Sequence, residues 1–397
     1  MQEKVQEKNY PEKIWTRDFT IICIANFFIF LGFQMTLPTL PLFVKELGGS
    51  DQSIGWIVGI FTFSALIFRP YAGQLLETKG RKFVYMFGLV IFALTVGAFA
   101  IATSIVALLM IRFIQGIGFG FSSTATGTIA TDLIPSNRRG EGMGYFGLSG
   151  NLSLAFGPVL GLALVDVITF PQLFLVSAGI VVVAIIISSF VKYKKVERLP
   201  DKSTTVKFDI FEKTAIEPSI LLFFLTFTFG GIASFLPLYA TQKGVEGIEL
   251  YFLMYAIFLM ISRTFAGRIY DLRGHIYVFP PGVIMIFVAM ILLAWLPNTI
   301  VLIVAASIYG LGFGSVQPAL QAWAVDKAAN NRKGMANATF FSFFDLGIGI
   351  GAIIFGWIAQ HFGYGYIYIT SAVSVFASLM IYIALLVKAK QREQSIS

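Results

Sequence analysis

Arg69-Pro70-Tyr71-Ala72-Gly73-Gln74-Leu75-Leu76-Glu77-Thr78-Lys79-Gly80-Arg81-Lys82 decides the fold, because the stretch returns 194 positions later. The second copy reads Arg263-Thr264-Phe265-Ala266-Gly267-Arg268-Ile269-Tyr270-Asp271-Leu272-Arg273-Gly274. Arg69, Ala72, Gly73, Glu77, Lys79 and Gly80 match Arg263, Ala266, Gly267, Asp271, Arg273 and Gly274 in identity or charge. The offset holds downstream: Gly116, Gly118 and Gly120 fall on Gly310, Gly312 and Gly314, and Asp132 on Asp326. Asn137-Arg138-Arg139-Gly140 falls on Asn331-Arg332-Lys333-Gly334. One register kept this far marks an internal duplication in parallel order.

Composition settles the solvent. Apolar residues make up 57% of the chain and charged residues 13%, with a mean hydropathy of +0.80. A soluble domain carries roughly 25% charge. Twelve apolar runs are long enough to cross a hydrocarbon core of about 30 Å as helices. They cover 19–42, 53–76, 83–103, 106–132, 142–165, 168–191, 217–240, 247–271, 276–296, 299–326, 336–360 and 364–387. The first is too long for the apolar core of a signal peptide and reads as a retained span. The longest break, 192–216, is rich in Lys and Glu and contains Pro200. The expected organisation is therefore a six-helix bundle over 1–191, a linker over 192–216 and a second six-helix bundle over 217–397.

The net charge of +8 raises a nucleic-acid reading, which the placement of the charges excludes. With both termini cytoplasmic, 24 of the 29 Lys and Arg fall in cytoplasmic segments. Lys45 and Lys243 lie outside, and Arg69, Arg112 and Arg263 lie within or at the edges of spans. That is the positive-inside pattern of a multi-pass protein of the cell membrane. The single cysteine, Cys23, excludes an internal disulfide.

Twelve spans in two halves, joined by a cytoplasmic linker, resemble the major facilitator superfamily. Gly73-x-Leu75-x-Glu77-x-x-Gly80-Arg81-Lys82 resembles the signature loop between its second and third spans. Arg112-Phe113-Ile114-Gln115-Gly116-x-Gly118 resembles the span 4 motif of proton-coupled members. Gly144, Gly157-Pro158 and Gly161 resemble the span 5 motif of drug:proton antiporters, with Ser153 and Leu162 standing where that pattern has glycine. The resemblance implies an all-α membrane fold of two pseudo-symmetric bundles that transports a small molecule by alternating access.

Within this frame particular residues stand out. Asp345 is the one carboxylate placed well inside a span, in Phe344-Asp345-Leu346-Gly347-Ile348-Gly349. A carboxyl group at that depth is stripped of water and suited to taking up and releasing a proton. The alternative is a neutral Asp345 bonded to Ser342 one turn back, serving packing alone. Arg112, about 10 Å into span 4 at 1.5 Å per residue, is expected to face a cavity or a partner, because lipid exposure there costs at least a few kcal/mol. Gln115, Gly116, Phe119 and Ser123 share its face. A structural Arg112, bonded to carbonyls near Gly157-Pro158, is the alternative.

The duplicated loops suggest a latch between the halves, built from Glu77, Arg81, Lys82, Asp132, Asp271 and Asp326. Gly73 and Gly80 would permit its tight turn and close helix approach, and Gly157 and Pro158 would take part in gating. Topogenic charge without a switching role is the alternative. The resemblance places spans 1, 4, 7 and 10 around a central cavity. Asn26, Gln34, Gln115, Asn151, Gln317, Gln321 and Trp323 are then the candidate substrate contacts.

Other chemistries are missing from the sequence. There is no Walker loop for nucleotide hydrolysis and no Ser-His-Asp set. His275 and His361 lack Cys or carboxylate companions at ligand spacing, so neither a metal nor any other cofactor is expected. The expectation is a non-enzymatic, proton-coupled exporter of small amphipathic compounds, functional as a monomer, with protons, substrate and the bilayer as partners. An uptake symporter for a polar solute and a non-transporting sensor on the same fold are the alternatives.

Overall fold

The computed structural model describes residues 13–135, 138–193, 211–329 and 333–394. Twelve of its helices are long and apolar enough to cross a membrane. They are α1 (Arg17–Glu46), α2 (Asp51–Thr78), α3 (Arg81–Ala98), α4 (Ile105–Leu133), α5 (Arg139–Val165) and α6 (Phe170–Ser189), then α7 (Ile216–Lys243), α8 (Ile248–Arg273), α9 (Phe279–Trp295), α10 (Thr299–Asp326), α11 (Lys333–Phe362) and α12 (Gly365–Gln394). Most of the expected linker, 194–210, lies outside the described residues.

The helix starts carry side-chain caps that the sequence supplies. Thr16, Ser50, Ser104 and Asn298 each accept a bond from the backbone N–H three residues on, at 3.0–3.2 Å, satisfying donors left orphaned by helix geometry. The repeated hinge ends each time on a glycine in the same backbone region, Gly80 at φ +93° and Gly274 at φ +75°. A side chain is strained there, so glycine is what lets α2 turn into α3 and α8 turn toward α9. Helix α1 runs on past residue 42, where the first span was expected to stop, through Pro38 and Pro41 to Glu46. Hydroxyls take up part of the disturbed carbonyl ladder, with Thr39 Oγ1 donating to the Met35 carbonyl at 2.9 Å.

Two large apolar cores are built among the described residues. One lies wholly among α1–α6 and their flanks, around Phe33, Phe61, Phe92 and Phe121. The other fills α7–α12 and also takes in Phe43, Ile54, Phe99, Leu108, Leu162 and Phe174, all from a single end of the first half. The halves therefore share apolar packing at the end that carries the α1–α2 and α11–α12 connections. Apolar side chains such as Leu94, Val106, Met110, Val373 and Phe376 point outward, as a lipid-facing surface requires.

Helix α2 lies against α11 along a seam of small residues. A Cβ on Gly55 would meet the Ala352 carbonyl, and one on Gly356 would meet the Asp51 carbonyl at 2.6 Å. Gly349 rests on Thr62. Glycine removes the atom that would keep the two backbones apart, which is how membrane helices gain close contact. Helix α5 packs against α8, and α1 against α7, to complete the meeting of the halves.

Candidate functional site

At the seam, Arg69 of α2 reaches across to Asp345 of α11. Arg69 Nη1 lies 2.6 Å from Asp345 Oδ2, with the side chains 22% and 20% exposed. Arg69 stands 18 residues into α2 and Asp345 12 residues into α11, so the pair sits well inside the membrane-crossing length of both. The partner expected for a packing role is engaged elsewhere, because Ser342 Oγ donates to the Ala338 carbonyl at 2.8 Å.

The repeat counterpart of Arg69 takes a different partner. Arg263 of α8 donates from Nη2 to Gln317 Oε1 at 2.8 Å. Gln317 Nε2 donates to Gln321 Oε1 at 3.5 Å, and Gln321 Nε2 donates to Asn337 Oδ1 at 3.1 Å. Gln317 and Gln321 share one face of α10, as their four-residue spacing predicts. The chain of bonds carries this polar face from α8 over α10 to α11.

Arg112 is enclosed within the first half. It is 1% exposed, donates from Nη1 to Gln115 Oε1 at 2.8 Å, and lies 5.0 Å from the Phe61 ring centroid and 5.7 Å from that of Phe99. An amide and two aromatic faces take the place of a carboxylate. Gln115 is 0% exposed and faces Arg112 rather than an open space. Neighbouring Gly116 lets α2 and α4 close tightly, since a Cβ there would strike the Phe61 carbonyl and Ser64. The carbonyls near Gly157-Pro158 are not its partners. Those two residues are buried in α5 and pack on α1, where a Cβ on Gly157 would strike Gln34.

The remaining amides divide. Buried Asn26 donates to Ser149 Oγ at 2.8 Å and ties α1 to α5. Gln34 keeps a buried Oε1 without a protein partner. Asn151 is half-buried on α5, the helix that packs on α8. Trp323 is placed away from the seam. Its ring stacks on His275 at 4.2 Å and an interplanar angle of 16°, with Tyr382 of α12 edge-on beside it. Among the described residues it contacts the α9–α12 side of the second half, because the end of α10 turns that face toward the His275–Tyr277 turn.

The expected latch takes another form. Arg81 donates from Nε to Asp132 Oδ2 at 3.0 Å and from Nη1 to the Leu76 carbonyl at 2.9 Å. In the second half Tyr270 OH donates to Asp326 Oδ2 at 2.9 Å. These contacts stay within one half, because each acidic residue ends a helix that neighbours its own hinge. Lys82 is exposed, and the side chains of Glu77 and Asp271 lie outside the described residues. Gly73 sits in mid-helix with open space where a Cβ would go, so close approach is not its role. Besides the Arg69–Asp345 pair, the polar contacts that cross between the halves among the described residues lie at the opposite end. Asp51 accepts from Tyr364 at 2.7 Å and pairs with Lys45 at 2.8 Å.

Sequence reading therefore missed Arg69 and Arg263 as site residues, although both were noted inside spans. The signal was present, since the 194-residue offset that aligns the two arginines also aligns Asn151 with Asp345.

The Major Facilitator Superfamily model matches residues 22–347. The chain is 25% identical over 364 residues to an uncharacterized MFS-type transporter, MJ1560, of Methanocaldococcus jannaschii, covering 89% of this chain and 94% of that one. It is 25% identical over 382 residues to the quinolone resistance protein NorA of Staphylococcus aureus, covering 93% and 97%. Among solved structures, a POT family transporter in complex with a peptide superposes with a TM-score of 0.77 at 14% identity, covering 92% and 96%. The nucleoside transporter NupG superposes with a TM-score of 0.69 at 16% identity, covering 92% and 99%. These last two likenesses speak to the fold alone. With a family model spanning most of its length and twelve membrane-crossing helices, the chain belongs to the major facilitator superfamily and is a secondary transporter, not an enzyme.

Proposed function

We propose that the protein is a proton-coupled exporter of small amphipathic compounds, in which Asp345 carries the coupling proton. The observation that supports this reading most is the Arg69–Asp345 pair, held at 2.6 Å between helices of opposite halves. Ionised, Asp345 holds Arg69 and draws α11 onto α2. Protonated, it loses the charge that attracts the guanidinium, and the seam keeps its glycine packing and the polar contacts of Asp51 and Gln52 at its far end. A proton arriving at this carboxyl therefore weakens a contact between the very bodies that must move. The likeness to the quinolone resistance protein NorA supports export of a drug-like cargo. Residues 1–191 and 217–397 act as the moving halves, with both termini cytoplasmic as the distribution of basic residues supports.

The deciding experiment uses purified protein in liposomes with an imposed pH gradient and a panel of amphipathic compounds. The wild type is expected to accumulate substrate against its gradient only when the pH gradient is present. Asp345→Asn is expected to insert and fold but to equilibrate substrate without concentrating it. Undiminished active transport by Asp345→Asn would remove the residue from coupling.

A further inference from the structure

The two halves place an arginine at the same point of the repeat, but only one of them is neutralised. Arg69 meets the carboxylate of Asp345 on the other half. The residue 194 positions before Asp345 is Asn151, on α5, the helix through which the first half packs on α8. Helix α8, which carries Arg263, thus packs against a helix whose equivalent position carries an amide instead of a carboxylate. Arg263 turns to Gln317 of its own half, and among the described residues no carboxylate pairs with it; a buried Nε without an acceptor is a feature it shares with Arg69 and Arg112.

The direction of the bonds leading from Arg263 is forced. A guanidinium has only donors, so Gln317 must present its carbonyl oxygen to Arg263. Its NH2 then points to Gln321, which must accept through oxygen and donate onward to Asn337. Asn337 accepts in turn, and its own NH2 ends the chain with no acceptor among the described residues. Two donors along this face have no acceptor among the described residues, the buried Arg263 Nε at one end and Asn337 Nδ2 at the other. Aligned donors reinforce one another and extend the positive field of the arginine along the face. Helices α8 and α11, where the chain of bonds begins and ends, are two of the helices by which the second half meets the first.

We propose that Arg263, with the amide chain through Gln317 to Asn337, forms an anion subsite that receives the carboxylate of an amphipathic substrate. The cargo supplies the negative charge that Asn151 does not. This inference rests on reading the face between the halves as the substrate path. Hydrogen bonds with an ionised partner are roughly twice as strong as neutral ones, so a carboxylate is expected to bind about tenfold or more tighter than its neutral isostere.

The test is equilibrium binding of 1-naphthylacetate, 1-naphthylacetamide and 1-naphthylethylamine at pH 7 to the full chain in phosphatidylcholine nanodiscs, where no anionic lipid competes. The wild type is expected to prefer the carboxylate by about tenfold or more. Arg263→Gln should bring the carboxylate and the amide within about twofold. Asn151→Asp, which copies the Arg69–Asp345 arrangement into the second seam, should do the same by filling the subsite from within. A wild type that does not prefer the carboxylate overturns the proposal whether or not the variants fold. So does a preference that survives Asn151→Asp in discs whose melting matches the wild type. Binding in discs involves no gradient, so a failure of proton-driven transport would count against the coupling role of Asp345 and leave this result standing.

Discussion

Tyr364, in the α11–α12 connection, donates its phenolic hydrogen to Asp51 at the start of α2 over 2.7 Å. Lys45 reaches the same carboxylate oxygen at 2.8 Å, and the Gln52 N–H approaches Gln360 Oε1 at 3.4 Å. A polar clasp thus lies over the glycine seam at the end where the apolar core of the second half also takes in side chains of the first. Burial and the nearby Asp51 carboxylate push the Tyr364 phenol above its ordinary value. It therefore remains a donor throughout the physiological pH range.

Removing that donor is expected to loosen this end of the molecule. Tyr364→Phe deletes one bond to a charged acceptor at a partly solvated site, worth about 1–2 kcal/mol. A change of about 1.4 kcal/mol shifts a two-state population tenfold. Cysteines placed on the Asp51 side of the inter-half space should label faster in the variant, and those on the Arg81 side more slowly. Equal labelling on both sides would show that the clasp does not bias the two states.

The Arg69–Asp345 pair makes a second prediction through its two single variants and their combination. Arg69→Gln leaves a carboxylate, and Asp345→Asn a guanidinium, without its counter-charge deep in a span. Because both side chains keep about a fifth of their exposure, each single change is expected to cost about 1–3 kcal/mol, below the range for fully buried pairs. The double variant should recover most of that loss, since no lone charge remains. Thermal unfolding of the four proteins in one detergent measures the coupling. Additive losses would mean that the residues do not stabilise each other.

Glycines on α2 supply a third, by contrast along a single helix. Gly55→Val drives a side chain into the Ala352 backbone, which cannot move without displacing α11. It should open the seam and mimic Tyr364→Phe in the labelling assay, with a larger effect. Gly73→Ala has open space around it and removes a helix-interior glycine that costs about 1 kcal/mol relative to Ala. That variant should melt at or above the wild-type temperature. A Gly73→Ala protein that folds well but no longer transports would assign the residue a role in motion rather than in packing.

Much of the fold was legible because the bilayer imposes a strong rule. Backbone polar groups must be satisfied within the helix, so apolar length alone located the twelve spans, with the ends of α1 (Glu46), α3 (Ala98) and α12 (Gln394) furthest from the expected 42, 103 and 387. The helix around Pro38 and Pro41 in α1 is backed by hydroxyl-to-carbonyl bonds, which hydropathy does not register. The candidate site was less legible. Asp345 stood out by its isolation in an apolar run, but its partner lies 276 positions away and nothing local pointed to Arg69. Arg112 drew notice for the same reason, yet its surroundings are the rings of Phe61 and Phe99, residues indistinguishable in sequence from lipid-facing phenylalanines.

The amino-acid sequence by itself determined the membrane, the twelve helices, the duplication and the glycines at which the chain turns. Each of these follows from local chemistry: transfer of side chains out of water, the 1.5 Å rise of a helix, and the positive φ that only glycine adopts freely. Tertiary structure alone decided which charges meet. It set Arg69 against Asp345, left Arg263 to a line of amides, closed Arg112 inside one half and kept the Arg81–Asp132 contact from bridging two. Those outcomes depend on which helix faces pack together, and side-chain attraction falls off within a few ångströms.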